Sequence, residues 1–151
     1  MKIYLAGYID GRNIISCTEW RKAVAKYYHD SNITVLDPLN GKDFSKITSD
    51  GLKSNRTPDC ILTRDMMSVY QADLLIANMN RFGCERVSVG TISEVAWAIW
   101  ADKPVIMITD EDQYKQHPFY SRIAAFYPDV NSLLEDGIID YYNKGVINAV
   151  Y

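Results

Sequence analysis

The sequence predicts a single α/β domain: a parallel sheet of about five strands with helices on both faces. Three observations predict it. Apolar runs of strand length recur along the chain, the segments between them carry apolar residues at helical spacing, and the two kinds of segment alternate from the N-terminus onward. The chain has 151 residues, 48% of them hydrophobic and 23% charged, which suits one core and not two. This is the pattern of a flavodoxin-like or Rossmann-like sheet.

Each element has its own signal. Lys2 to Gly7 is an apolar run ending at glycine and predicts the first strand. A loop over Tyr8 to Asn13 follows. Ser16 precedes Glu19 by three residues, a capping-box spacing, and predicts a helix from Cys17 to His29 with Trp20, Val24, Tyr27 and Tyr28 on its apolar face. Ile33 to Leu36 predicts the second strand, stopped by Asp37-Pro38. Leu39 to Thr57 is polar and contains Gly41 and Gly51; it is the longest loop, a lid or a surface excursion. Thr57-Pro58-Asp59 opens a second helix that runs to Gln71. Asp73 to Asn78 is the third strand, Thr91 to Ala101 a helix, and Pro104 to Ile108 the fourth strand. A polar loop, Thr109 to Pro118, leads to a helix around Tyr120 to Phe126. Asn131 to Asp136 is a short helix, and the end is irregular or extended.

Composition excludes several function classes. A formal net charge of −3 argues against a broad cationic surface for a nucleic-acid polymer or a membrane. Cys17, Cys60 and Cys84 are scattered without CxxC spacing, which excludes a disulfide framework or a zinc site and fits reduced thiols in the cytoplasm. His29 and His117 do not build a His-rich metal site. No apolar run approaches the roughly 18–20 residues that span a bilayer. The N-terminus reads as a strand, not a signal peptide.

In open parallel sheets the ligand site lies beyond the carboxyl ends of the strands. That rule gathers Gly7 to Asn13, Asp37 onward, Asn78 to Gly90 and Thr109 onward at one edge. Within these segments, Thr91 and Glu94 have capping-box spacing; in the first helical turn, Glu94 is also a candidate carboxylate nucleophile. Asp65 is either part of a solvated helix face or a general acid that meets Glu94 across the pocket. Gly7-Tyr8-Ile9-Asp10-Gly11-Arg12 offers a tight turn and an arginine fork for a phosphate or carboxylate, but it is not GxGxxG. Tyr4, inside a buried strand, needs a partner for its hydroxyl, and Glu94 is that partner if the two are adjacent. The eleven tyrosines, spread along the chain, read mostly as core or subunit contacts.

Taken together, Ile3-Tyr4-Leu5-Ala6-Gly7, Asp65 with Ala72-Asp73-Leu74-Leu75-Ile76-Ala77, and Gly90-Thr91-Ile92-Ser93-Glu94 followed by Lys103-Pro104-Val105 resemble the nucleoside 2-deoxyribosyltransferase family and its relatives, the 2′-deoxynucleoside 5′-phosphate N-hydrolases. The resemblance implies that Glu94 attacks C1′ of the deoxyribose, that Asp65 assists departure of the base, and that Tyr4 orients the nucleophile. It implies transfer to a second base or hydrolysis, with no metal or cofactor. It implies a nucleoside or nucleotide and a free nucleobase as small-molecule partners. Gly7, Tyr8, Gly11, Arg12, Asp37, Ser88 and Gly90 become candidate substrate-binding residues. Free-nucleoside transferases typically carry an acid six positions before the nucleophile. Ser88 stands there and, with Gly11-Arg12, resembles the branch that takes a 5′-monophosphate, because a serine donates to a dianion that an aspartate would repel. Asn148 to Tyr151 resembles the transferases instead. The family also implies a homodimer or larger homo-oligomer, with the loop carrying His117 and Tyr120 near a neighbouring site. Two other readings stand beside this one: a non-catalytic nucleotide-binding module, and an unrelated α/β domain with a flavodoxin-like site.

Overall fold

The computed structural model describes residues 1–9, 14–41, 47–48, 51–52, 56–83 and 85–144. In chain order the elements are β1 (Lys2–Gly7), α1 (Ile14–Tyr27), β2 (Thr34–Leu36), β3 (Ile47–Thr48), β4 (Gly51–Leu52), α2 (Pro58–Gln71), β5 (Leu74–Asn78), α3 (Val89–Trp100), β6 (Val105–Ile108), α4 (Asp112–Gln116), a 3-10 turn (Pro118–Tyr120), β7 (Ala125–Tyr127), α5 (Val130–Asp136) and α6 (Ile138–Lys144). Five strands form one parallel sheet in the order β2-β1-β5-β6-β7, and β3 and β4 make a separate antiparallel pair. The α/β class predicted from the sequence is the observed one. Among the described residues, no helix is long and apolar enough to cross a membrane.

The strands are apolar on both faces because helices cover both. Ile3, Leu5, Leu74, Ile76, Ile106 and Ile108 pack with Trp20, Val24 and Tyr28 of α1, Leu133 and Leu134 of α5 and Ile139 of α6. The alternate residues Tyr4, Ala6, Leu75, Ala77 and Val105 pack with Val69 of α2 and Val95 and Ala98 of α3. The two-residue period of a strand thus assigns Tyr4 to the α2–α3 face.

Strand order reverses at β1. The chain leaves β1 for β2 on one side and returns through β5 on the other, so the connections that leave the carboxyl ends of β1 and β5 run to opposite sides. Gly7 pairs with Asn78 at this point. A Cβ on Gly7 would lie 2.8 Å from Trp20 Cζ2, 3.2 Å from Arg21 Nη2 and 3.3 Å from the Asn78 carbonyl oxygen. The packing of α1 on the strand end therefore requires a glycine here.

Several boundaries differ from the sequence expectation. Helix α1 starts at Ile14, so Ser16 and Glu19 lie inside it and do not cap its start. The stretch expected as a helix around Tyr120 to Phe126 is a 3-10 turn followed by β7, the fifth strand. The loop over Thr109 to Pro118 holds the short helix α4, and the segment expected to be irregular contains α6. Helix α2 starts as expected: Thr57 caps it through the Cys60 N–H, with Pro58 in the first turn.

Candidate active site

Helix α3 supplies the central carboxylate. Its N-cap is Ser88, whose Oγ accepts from the Thr91 N–H at 3.3 Å and from the Thr91 hydroxyl at 2.8 Å. Thr91 is therefore capped rather than capping. Glu94 stands in the second turn, not in the first as a Thr91–Glu94 capping box would require. Thr91, Glu94, Val95 and Ala98 form the buried stripe of α3 at helical spacing, so the Glu94 carboxylate is carried inward and is 7% exposed. A buried carboxylate needs donors. Tyr4, fully buried on β1, supplies one: its hydroxyl donates to Glu94 Oε1 at 2.7 Å.

Burial raises the Tyr4 pKa well above that of an ordinary phenol. The charges of Glu94 and Asp65 and the hydrogen bond to Glu94 add to the rise, while Arg21 opposes it. The phenol therefore stays protonated and acts as a fixed donor. Asp65 reaches the same place from α2, half-buried, four residues after Ile61 on the same helix face.

A cavity of about 380 Å³ opens between the end of β1 and the start of α3. Gly7, Tyr8 and Ile9 line one side, Arg86, Val87, Ser88 and Gly90 another, and Ile61, Asp65, Thr91 and Glu94 complete it. A second hollow of about 420 Å³ shares Ile61, Asp65, Val89, Gly90 and Glu94 and extends to Leu62 and Trp97. Both volumes lie in the range of small-molecule sites. At Gly90 an added Cβ would meet nothing within 4 Å, so that wall is open.

The structure thus brings Tyr4, Gly7, Tyr8, Asp65, Ser88, Gly90 and Glu94 together. Asp37 is placed elsewhere: it lies 3.5 Å from Arg21 Nε and accepts from the Leu39 N–H at 2.9 Å, away from the cavity lining. Its contact with Arg21 ties the end of β2 to α1. Gly11, Arg12 and the C-terminal Asn148 to Tyr151 lie outside the described residues, as does much of Leu39 to Thr57. His117 and Tyr120 are not on the cavity. The Nδ1 of His117 accepts from the Phe119 N–H, and Tyr120 lines a separate apolar hollow with Ile92, Val95 and Ile99. Among the described residues, no group of three or more His, Cys, Asp or Glu side chains converges on a metal position.

Two arginines were missed in the sequence. Arg86 lines the cavity, and its carbonyl accepts from the Tyr8 hydroxyl. Arg21 is 1% exposed; it donates from Nη2 to the Gly7 carbonyl at 2.8 Å and from Nη1 to the Tyr8 carbonyl at 3.2 Å and to the Cys17 carbonyl. Burial pulls its pKa down, and Asp37 leads the charges that hold it up. A signal existed: Cys17, Trp20, Arg21, Val24 and Tyr28 share one helical stripe, so Arg21 falls on the buried face.

The chemistry available here is that of two carboxyl groups on one cavity, one of them oriented by a phenol. Such a pair suits displacement at a sugar carbon, with one group as nucleophile and the other as acid.

The chain shares its fold with solved structures at low sequence identity. The CMP N-glycosidase BcmB from Clostridium botulinum superposes with a TM-score of 0.62 at 15% identity, covering 92% of this chain and 99% of that one. A 2-deoxyribosyltransferase from Bacillus psychrosaccharolyticus gives 0.60 at 19% identity, covering 89% and 90%. A conserved protein from Enterococcus faecalis V583 gives 0.67 at 16% identity, covering 93% and 98%. No curated protein matches the sequence significantly. The family model of nucleoside 2-deoxyribosyltransferases matches residues 3–144, and the chain belongs to that family.

Proposed function

We propose that this protein cleaves the N-glycosidic bond of 2′-deoxynucleosides or their 5′-monophosphates and transfers the deoxyribosyl group to another base. One observation carries the reading: the buried Glu94 carboxylate, held at 2.7 Å by the Tyr4 phenol, on a cavity that it shares with Asp65. Glu94 attacks C1′ and the C1′–N bond breaks. The bonding pair leaves on the base nitrogen, which Asp65 protonates. A nitrogen of the incoming base then attacks C1′ and gives its proton to Asp65, the ester to Glu94 breaks, and both carboxyl groups return to their starting states. Every group in this scheme is on the chain, and no cofactor or metal is needed.

The reading in which water replaces the second base has its own support. Ser88 and Arg86 border the cavity where α3 begins, and the N-terminal end of a helix favours an anion. That arrangement suits a 5′-monophosphate. Incubation with a panel of deoxynucleosides and monophosphates, with and without a free base, followed by chromatography, separates the two. Base exchange identifies the transferase, and sugar phosphate released without an acceptor identifies the hydrolase. A 2′-fluoro substrate analogue should leave a glycosyl adduct on Glu94, read by peptide mass spectrometry. Nucleotide binding with no base release from any substrate would leave only a binding module.

The same reading makes a second copy of the chain the protein partner. Leu62, Met67 and Tyr70 on α2, Trp100 on α3 and Phe119 are large apolar side chains exposed on the monomer, which supports it. Sedimentation velocity should show a dimer or larger, and a monomer at micromolar concentration would refute this assignment.

A further inference from the structure

A continuous set of contacts crosses the mouth of the cavity. It begins at Asp37, just past β2, which lies 3.5 Å from Arg21 Nε. Arg21 is among the largest fully buried side chains, and its guanidinium also donates to the Gly7 and Tyr8 carbonyls at the end of β1. A planar guanidinium holds two carbonyls and a carboxylate in fixed relative positions, which a flexible ammonium does not. The Tyr8 ring is 6% exposed, and its hydroxyl donates to the Arg86 carbonyl across the cavity. Arg86 lies two residues before Ser88, the cap of the helix that carries Glu94. The segments following β2, β1 and β5 are thereby tied together on both sides of the strand-order reversal.

We propose that Arg21 and Tyr8 are positioning residues: Arg21 fixes the end of β1, and Tyr8 straps it to the Arg86–Ser88 wall, so that together they set the width of the cavity that receives the sugar. Tyr8 acts through the backbone of Arg86, not through a hydrogen bond to substrate. The carbonyls of Gly7 and Tyr8 are engaged by Arg21 and are not substrate acceptors. The wall they form is rigid because its polar groups are already partnered inside the protein. This inference rests on the proposed glycosidic reaction for its kinetic consequence, but its structural part is independent of that reaction.

The test uses Tyr8→Phe, Arg21→Lys and the double variant of the full-length protein. Tyr8→Phe should raise KM for whichever substrate the wild type cleaves by about tenfold, with kcat changed less than about threefold, because the groups at the reacting carbon are untouched. Arg21→Lys should act in the same direction. The double variant should be no worse than about twofold beyond the more severe single variant, since both cut one strap. Amide exchange over residues 86–91 should quicken in each variant while the strands of the sheet keep their protection. Additive effects on KM would mean that Tyr8 touches substrate independently of Arg21, and would overturn the proposal. Unchanged exchange over 86–91 in Tyr8→Phe would also overturn it. A lower melting temperature with no separation of KM from kcat would mark a structural role only, and would refute positioning. If Arg21→Lys does not fold, Tyr8→Phe alone decides through exchange and KM. If the wild type releases no base from any substrate, the glycosidic reading fails, and the exchange measurement still decides whether the strap exists.

Discussion

Replacing Tyr4 by phenylalanine removes a single oxygen from a fully buried ring and leaves its packing against α2 and α3 in place. That oxygen donates to Glu94 Oε1 at 2.7 Å, and Glu94 is 7% exposed, so water does not readily replace the donor. A hydrogen bond to a charged group contributes about 1.5–3 kcal/mol. If that energy holds the carboxylate in its attacking orientation, its loss lowers kcat/KM roughly 10- to 150-fold, at about 1.4 kcal/mol per decade. The donor also draws charge from the nucleophile, an effect that opposes the loss and keeps the fall within that range. KM should change by less than about threefold, because the phenol contacts Glu94 and not the substrate. The assay is initial-rate base release by chromatography, with near-ultraviolet circular dichroism to show that the variant is folded. A folded Tyr4→Phe protein with kcat/KM within about threefold of wild type would refute the claim that this contact orients the nucleophile.

Glu94→Ala should abolish glycosidic cleavage while the protein still folds, since Ser88 and not Glu94 caps α3; near-normal turnover would remove the nucleophile assignment. Ser88→Asp keeps a good N-cap and places a negative charge at the favourable end of α3, so stability should hold. The same charge should weaken 5′-monophosphates more than free nucleosides, and equal loss for both, measured as kcat/KM, would contradict a phosphate at this wall. Stability should also fall in alkali. Tyr4 has its pKa raised in the folded state, chiefly by burial, so above pH 10, the ordinary phenol value, the unfolded chain loses this proton first. The native state then binds more protons than the unfolded one, and unfolding free energy drops by about 1.4 kcal/mol per pH unit from this group. Urea melts at pH 9, 10 and 11 should show the decline, and Tyr4→Phe should make it shallower without abolishing it, since burial also raises Tyr28 and Tyr127; an unchanged slope would place the effect in those other groups.

The sequence revealed most of what fixes the sheet, because β1 beyond Lys2, β5 and β6 are buried strands and read as continuous apolar runs. It misread β7 for a physical reason. Tyr120, Ile123 and Phe126 recur every three residues, as on a helix, and all three do pack against Met79, Met107 and Tyr114. A 3-10 turn and a three-residue strand deliver the same contacts, and periodicity does not distinguish them. The start of α3 was ambiguous in the same way. Thr91 and Glu94 have capping-box spacing, and only the hydrogen bond from the Thr91 N–H to Ser88 Oγ shows that the helix begins three residues earlier. Arg21 was overlooked because a charged residue on a helix reads as solvent-facing until its partner is known, and its partner Asp37 lies past the end of another element.

Tyr4 and Glu94 are 90 positions apart in the chain, and Asp65 comes from a third element between them. No excised piece of the polypeptide brings all three side chains together unless it spans most of the fold. Turnover should therefore vanish along the same urea titration curve that reports global loss of the sheet, with no residual activity surviving in partly denatured material. For this protein the chemistry would then serve as a sensitive gauge of whether the molecule is whole.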